Sequence, residues 1–93
     1  MLNMRDDDLA ESIRIEGKNK KEIITTEELA ELIKEVTKDL RGKPRREKLI
    51  EEMADVYICL KMLRLIHDVD EESIQEWIDY KVDRQIRRDQ EHN

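Results

Sequence analysis

The chain has 93 residues, enough for one small domain, and with two Gly, one Pro, no Phe and 45% charged residues its composition favours an all-helical fold over β-sheet. Its 18 basic and 24 acidic residues leave a net charge of −6, which argues against a general affinity for nucleic acid or for anionic membranes. The single Cys59 excludes an intramolecular disulfide, and the most apolar stretch, Val56–Ile66, is too short to span a bilayer, so we expect a soluble, cytoplasmic protein.

The first twenty residues are predicted to be a short N-terminal extension of a helical domain that covers residues 21–93. Three consecutive Asp residues open the segment Asp6–Glu16, where acidic side chains favour a helix start, and Gly17 follows where a helix can end. We expect one short helix here and then a polar connection over residues 17–20. No residue pattern in this extension indicates chemistry.

The first main helix is predicted from about Lys21 to Arg41. Its apolar residues follow a 4-3-4 spacing that places them in one stripe, which we expect to be buried against a partner helix: Leu29, Ile33, Val36 and Leu40. An alternative start lies at Thr25, because Thr25 and Glu28 have the spacing of a capping box. The apolar residues just before Thr25 favour the earlier start.

The second main helix is predicted from Pro44 or Arg45 to His67, after a turn at Gly42 that folds the two main helices into an antiparallel hairpin. Within Val56–Ile66, nine of eleven residues are apolar, and their projections cover nearly the whole circumference of the helix. One neighbouring helix cannot bury such a segment. We therefore expect a homo-oligomer, a dimer or a tetramer, whose paired hairpins form a four-helix bundle.

The last helix is predicted to begin after Asp70, which suits the N-cap position, and to end near Arg88. Its C-terminal half is basic, and Lys81, Arg84 and Arg88 share one face at i, i+3 and i+7. These cations can complement the negative end of the helix dipole. They can also bind the phosphates of a ligand, and the sequence leaves both interpretations open.

Each main helix carries a pair of carboxylates three residues apart. Glu28 and Glu31 share one face of the first helix, and Glu52 and Asp55 share one face of the second. An antiparallel hairpin folded about residue 43 places Glu31 level with Asp55 and the other two within about one turn. Four converging carboxylates repel one another unless some are protonated or a cation lies among them, and oxygen ligands of this kind suit Mg²⁺ or Mn²⁺.

Pairs of acids at this spacing also arise by chance in a chain with 24 acidic residues, and most such pairs are solvated surface. The second pair is distinguished by its position, because Glu52 and Asp55 continue an apolar strip that includes Cys59 and Met62. Acids that continue an apolar strip are seldom simply solvated. On this reasoning a metal site and a charged surface both stay open.

The two motifs resemble those of the MazG-like nucleotide pyrophosphohydrolases, a group within the all-α NTP pyrophosphatases. The family pattern, Glu-Glu-x-x-Glu followed by Glu-x-x-Asp, matches residues 27–31 and 52–55, with twenty residues between the two halves. The surrounding residues 51–58 and 80–84 are also similar to short members of the family. The resemblance covers about residues 22–88.

The resemblance implies a Mg²⁺- or Mn²⁺-dependent enzyme that cleaves a nucleoside triphosphate to the monophosphate and pyrophosphate. Carried over by position, the implied metal ligands are Glu28, Glu31, Glu52 and Asp55. Glu31 is also implied to orient or deprotonate the attacking water. Lys81 and Arg84, with Arg88 on the same face, are implied to bind the phosphates. Many members carry an Asn in the last helix for the nucleotide, and residues 70–89 here contain none, so the nucleotide stays unidentified.

The competing interpretation is a non-enzymatic helical oligomer with an interaction or regulatory role, whose acids are only surface charge. Cation dependence distinguishes the two classes, because the enzyme binds Mg²⁺ or Mn²⁺ through its paired acids and a helical scaffold does not. In either case we expect no membrane partner and no general nucleic-acid binding.

Overall fold

Four α-helices account for most of the chain in a computed structural model that describes residues 2–92. They are α1 (Asp6–Glu16), α2 (Lys18–Leu40), α3 (Arg46–Ile66) and α4 (Glu71–Glu91). No strand occurs among the described residues, so the prediction of an all-helical fold is confirmed. None of the four described helices combines the length and the apolar character that crossing a membrane requires.

The first helix has the predicted bounds, but the connection after it is shorter than predicted. Gly17 adopts a positive φ of 93°, which lets a single residue end α1 and redirect the chain, and α2 begins at once at Lys18. Lys20 and Lys21, in the first turn of α2, both bind the carboxylate of Glu16, at 2.8 and 3.0 Å. The polar connection predicted over residues 17–20 is therefore wrong, because residues 18–20 already belong to α2.

The alternative start of α2 at Thr25 is also wrong. The Thr25 hydroxyl donates to the carbonyl oxygen of Lys21 at 2.9 Å, one turn back in the same helix. Thr25 is therefore a buried residue within the helix and not its cap. The helix continues to Leu40, one residue short of the predicted end.

The antiparallel hairpin predicted from the sequence is formed by α2 and α3. Near the turn, Arg45 binds Glu35 of α2 through two hydrogen bonds. At the far end, His67 Nε2 lies 2.6 Å from a carboxylate oxygen of Glu22. Gly42, with a φ of 78°, supplies the left-handed backbone of the turn. Helix α1 packs across both helices of the hairpin.

The face that α2 presents to α3 is largely polar. Among residues 2–92, the buried residues of α2 are Lys21, Thr25 and Glu35, and those of α3 are Glu52, Cys59 and Met62; only Cys59 and Met62 of these are apolar. The apolar stripe predicted on α2 lies beside this face and is exposed in the single chain, with Ile33 67% exposed. The prediction of a buried stripe is thus wrong for one chain, because α3 covers the neighbouring polar stripe of α2: Leu29, Ile33, Val36 and Leu40 all remain exposed.

The last helix extends away from the other three. Asp70 caps α4 as predicted, since its side chain accepts a hydrogen bond from the backbone amide of Ser73 at 2.7 Å. The helix ends at Glu91, three residues beyond the predicted end. Within residues 2–92 it packs along none of α1, α2 or α3, and almost all of its residues are exposed. Its first turn contacts α3 through Glu71, a carboxylate oxygen of which lies 3.7 Å from a guanidinium nitrogen of Arg64.

The single chain is more extended than a compact domain of its length. Its radius of gyration is 16.1 Å, whereas about 12 Å is typical of a compact chain this long. Its accessible surface is 7767 Å², whereas a compact monomer of this mass exposes about 5,700 Å². The excess of about 2,000 Å² exceeds the roughly 800 Å² that each partner buries in a stable protein interface of standard size.

Candidate metal centre

Three carboxylates from α2 and α3 meet in the middle of the hairpin. Glu52 and Asp55 lie one turn apart on the face of α3 that packs against α2, and Glu28 faces them from α2. One oxygen of each lies within 4.8 Å of the others. Glu52 is buried, at 3% exposure, and the other two are half-buried. The structure therefore brings together three of the four carboxylates predicted as metal ligands.

Glu31, the fourth predicted ligand, is exposed and lies outside this group. Three residues advance a helix by about 300°, so Glu31 sits about 60° around α2 from Glu28. The hairpin brings Glu28, and not Glu31, into contact with Asp55, which differs by about one turn from the predicted alignment. Glu31 instead approaches Arg45, whose pKa is raised chiefly by its hydrogen bonds to Glu35 and in part by the charge of Glu31.

The two oxygens of Glu52 have different surroundings. Oε1 lies 3.2 Å from Nζ of Lys48, one turn earlier on α3. Oε2 is buried and has no hydrogen-bond partner among the described residues. A buried polar atom without a partner costs about 1–3 kcal/mol, and more when it carries charge, because it has lost its water. A hard divalent cation such as Mg²⁺ or Mn²⁺ would remove that cost, and a donor set of three carboxylates fits one.

Glu28 titrates in an unusual range for a carboxyl group. Its pKa is raised to about 7, first by burial and then by the charges and hydrogen bonds of Asp55 and Glu52. Glu28 therefore keeps its proton to near-neutral pH in the metal-free protein, and a protonated carboxyl donates a hydrogen bond to a neighbour that it would otherwise repel. Perturbed groups of this kind concentrate at functional sites.

Cations flank the carboxylates on the side toward the turn, and no sequence motif singled them out. The buried Glu35 accepts two hydrogen bonds from Arg45 and lies 3.8 Å from Lys38. The Arg45 guanidinium lowers the pKa of Glu35. The i, i+4 spacing of Lys48 and Glu52 was an available signal for their ion pair. The contact between Glu35 and Arg45 depends on how the two helices align, which spacing alone does not fix.

Cys59 lies one turn beyond Asp55 on α3 and is almost fully buried. Burial raises the pKa of its thiol, a hydrogen bond with Thr25 opposes this effect, and the charges of Glu28 and Asp55 raise the pKa further. The thiol is therefore kept protonated, and Cys59 acts as a small apolar wall beside the carboxylates.

The basic face of α4 does not meet this site within one chain. Lys81 Nζ lies 5.9 Å from the centre of the Trp77 ring, and the Arg84 guanidinium lies 5.6 Å from the centre of the Tyr80 ring. Arg88 falls in the last turn, where a cation complements the helix dipole. Because α4 packs along neither α2 nor α3 in the part of the chain that is described, its basic residues are not placed beside the carboxylates.

Comparisons with protein-family models, with curated proteins and with solved structures find no match to this chain. The MazG-like resemblance therefore rests on the acidic motifs and their surroundings, and it stays a prediction. The fold and the site define a broader class, an all-helical hairpin protein with a group of three carboxylates at its centre.

Proposed function

We propose that this protein is a metal-dependent nucleoside triphosphate pyrophosphohydrolase that releases a nucleoside monophosphate and pyrophosphate. The observation that carries the proposal is the group formed by Glu28, Glu52 and Asp55, with one buried oxygen of Glu52 lacking a partner among the described residues. Such a group fits Mg²⁺ or Mn²⁺, and Mg²⁺ commonly joins carboxylates to the phosphates of a substrate. A cytoplasmic location, where nucleoside triphosphates occur, belongs to the same proposal.

Glu28, Glu52 and Asp55 would hold the cation, which supplies positive charge against the triphosphate and polarises its phosphorus–oxygen bonds. Glu28 must release its proton before it can act as a ligand, and its pKa is about 7. Metal affinity is therefore expected to rise with pH through this value.

The reaction also needs a group that accepts a proton from water. In the proposed step the water oxygen bonds to the α-phosphorus, the bond from that phosphorus to the oxygen bridging to the β-phosphate breaks, and pyrophosphate leaves with the electron pair. Glu31 is assigned to orient the water and take its proton. The support is that Glu31 is exposed, lies one turn from Glu28 on α2 and stands outside the group of three ligands.

The proposal includes a homo-oligomer, a dimer or a tetramer. Apolar residues are exposed along both helices of the hairpin: Leu29, Ile33, Val36 and Leu40 on α2, and Met53 and Leu60 on α3. The excess surface of the single chain, about 2,000 Å², is enough for one stable interface. Two hairpins that pack these surfaces together form a four-helix bundle, which is a common way to bury such stripes.

An oligomer would also give the basic face of α4 access to substrate. In one chain, Lys81, Arg84 and Arg88 reach the carboxylates only if α4 moves, because α4 packs along neither α2 nor α3 in the described part of the chain. The exposed apolar residues of α4 favour contact with another subunit: Ile74, Ile78, Val82 and Ile86. In this proposal the three cations bind the phosphates of a substrate held at the carboxylates of a neighbouring subunit.

Nucleotide turnover tests the proposal. Standard and modified nucleoside triphosphates are each incubated with the protein and Mg²⁺, and pyrophosphate release is measured. We expect release from at least one nucleotide, no release when EDTA is present, and no release by Glu52→Gln. Glu51→Gln is the matched control, because Glu51 is exposed and lies outside the group. No release from any nucleotide, or equal loss in the two variants, would contradict the proposal.

A non-enzymatic helical oligomer is the second candidate function. The observation that favours it is the exposed apolar stripe on α2, which requires assembly but no chemistry. This candidate predicts a stable oligomer whose melting temperature does not respond to Mg²⁺. Melting curves with and without Mg²⁺ therefore separate it from the enzyme.

A further inference from the structure

The turn between α2 and α3 carries a concentration of positive charge, although the chain as a whole is negative. Residues 38–48 contain six Lys and Arg against two acids, a charge of +4, whereas the rest of the chain carries 12 basic and 22 acidic residues, a charge of −10. Four of these cations, together with Pro44, line a cavity of about 500 Å³: Lys38, Arg41, Lys43 and Arg45. These cations have no role in the proposed function.

Two of the lining cations are held by a buried acid. Glu35 accepts hydrogen bonds from Nε and Nη2 of Arg45, and one of its oxygens lies 3.8 Å from Nζ of Lys38. The Glu35 side chain is 1% exposed, whereas that of Arg45 is half exposed. A guanidinium has five N–H donors, so Arg45 is fixed through two of them and keeps the others for a ligand.

The other two lining cations, Arg41 and Lys43, are exposed and form no ion pair within residues 2–92. The start of α3 adds partial positive charge at the same place, because its N-cap residue, Arg45, lines the cavity and makes no capping hydrogen bond. The cavity therefore presents two free cations and one pre-positioned guanidinium to the same volume.

We propose that this cavity binds a condensed phosphate in the absence of divalent cations, with pyrophosphate, tripolyphosphate and the phosphate tail of a nucleotide sharing the required chemistry. A multivalent anion matches the charge, and the guanidinium forks of Arg41 and Arg45 match phosphate oxygens in geometry. The concave shape favours a small ligand over a nucleic-acid backbone, and no aromatic residue lines the cavity to stack on a base. The site is separate from the carboxylates and does not rest on the proposed function.

Calorimetric titration of the full chain in EDTA tests this site. Pyrophosphate and tripolyphosphate are titrated into the wild type and into an Arg41→Ala/Lys43→Ala variant. A Lys18→Ala/Lys34→Ala variant is the matched control, since it removes the same charge from exposed lysines of α2 outside the cavity. We expect the first variant to lose about 10-fold or more in affinity and the control to lose less than about 3-fold.

Further ligands identify the source of the phosphate. A nucleoside triphosphate that binds with the same dependence on Arg41 and Lys43 assigns the cavity to a nucleotide tail, whereas binding of pyrophosphate with the nucleotide excluded assigns it to a free condensed phosphate. Either result supports the proposal. It is overturned by failure of both condensed phosphates to bind, by a monophosphate that binds as tightly as pyrophosphate, by tighter binding of a short DNA duplex, or by equal losses in the two variants.

Titration with Mn²⁺ separates this site from the proposed function. The Arg41→Ala/Lys43→Ala variant is expected to keep the Mn²⁺ affinity of the wild type, and Glu52→Gln is expected to keep its affinity for pyrophosphate in EDTA. Loss of pyrophosphate binding in Glu52→Gln would overturn the assignment of a separate site. If the wild type does not bind Mn²⁺, the proposed function is contradicted. The proposed phosphate site is unaffected by that result, because the titrations with condensed phosphates test it separately.

Discussion

Glu52 is the residue that most clearly separates the centre of the hairpin from ordinary surface charge. Its Oε1 lies 3.2 Å from Lys48, while its Oε2 is buried and has no hydrogen-bond partner among the described residues. The ion pair with Lys48 leaves Oε2 unsatisfied, and a buried polar atom without a partner costs about 1–3 kcal/mol, or more when it carries charge. Glu28 and Asp55 add further negative charge at the same place. Without a cation, the group opposes the stability of the fold once Glu28 has lost its proton.

Neutralising one carboxylate should therefore not weaken the metal-free protein. We expect Glu52→Gln and Asp55→Asn to melt at or above the wild-type temperature in EDTA, because each removes a charge that repels its neighbours. With Mg²⁺ the wild type should gain stability, and the variants should not. Strong destabilisation of both variants in EDTA would mean that the acids are structural partners of cations such as Lys48.

Glu28 should make the stability of the metal-free protein fall as pH rises. The folded chain keeps this proton to about pH 7, whereas an unperturbed Glu releases it at 4.5. Between these values the folded state binds more protons than the unfolded state, so the stabilising contribution present at low pH is lost by about pH 7. Melting temperatures measured across this window in EDTA should fall less steeply for Glu28→Gln than for the wild type. Glu27→Gln is the control, because Glu27 is the exposed neighbour of Glu28. The interpretation fails if Glu27→Gln flattens the dependence of melting temperature on pH as much as Glu28→Gln does.

At the scale of helices, the positions of the helix ends are predictable, because single residues determine them. The Asp70 side chain caps α4, and Gly17 and Gly42 supply the positive φ angles that follow α1 and α2. Which side of α2 packs against α3 is harder to predict, because α2 carries an apolar stripe beside a polar one. Periodicity favours burial of the apolar stripe, yet within one chain α3 covers the polar stripe that includes Thr25 and Glu28.

The same limit explains which site residues the sequence could identify. Glu52 and Asp55 share a face because they belong to one helix, and the hairpin topology then brings Glu28 near them. Counting residues across a turn does not fix the alignment of two helices to within one turn, so Glu31 was expected where Glu28 lies. The pairing of Arg45 with Glu35 was missed for the same reason.

The basic face of α4 is predicted to act on substrate and not on the metal. Replacing Lys81 or Arg84 with Ala should remove one charge-assisted contact worth about 1.5–3 kcal/mol, or roughly 10- to 150-fold in kcat/KM. Mn²⁺ affinity without nucleotide should be nearly unchanged, because a cation near the site does not attract a bare metal ion. Steady-state kinetics and Mn²⁺ titration measure the two effects, with Gln85→Ala as the neutral control. Unchanged kcat/KM with a lowered melting temperature would assign these cations a structural role.

At the scale of the whole molecule, the single chain exposes an apolar surface that a second subunit could bury. One pair of substitutions tests this assembly. Ile33 on α2 and Ile15 on α1 are both 67% exposed, but only Ile33 belongs to the apolar stripe of the hairpin. Light scattering should give at least a dimer for the wild type and for Ile15→Glu, and a shift toward monomer for Ile33→Glu. The charge in Ile33→Glu would be desolvated at the interface. A monomeric wild type at micromolar concentration, or equal dissociation of both variants, would rule out this interface.

The most direct test of whether Glu28, Glu52 and Asp55 form a metal site is a titration of the wild type with Mn²⁺. The electron paramagnetic resonance signal of the free ion reports how much Mn²⁺ remains unbound. We expect saturable binding that tightens as pH rises through about 7, the pKa of Glu28. Glu28→Gln, Glu52→Gln and Asp55→Asn should each weaken binding about 10-fold or more, and the exposed Glu51→Gln should leave it unchanged. The absence of saturable binding to the wild type, or equal weakening by Glu51→Gln, would contradict the claim that these three carboxylates hold a metal ion.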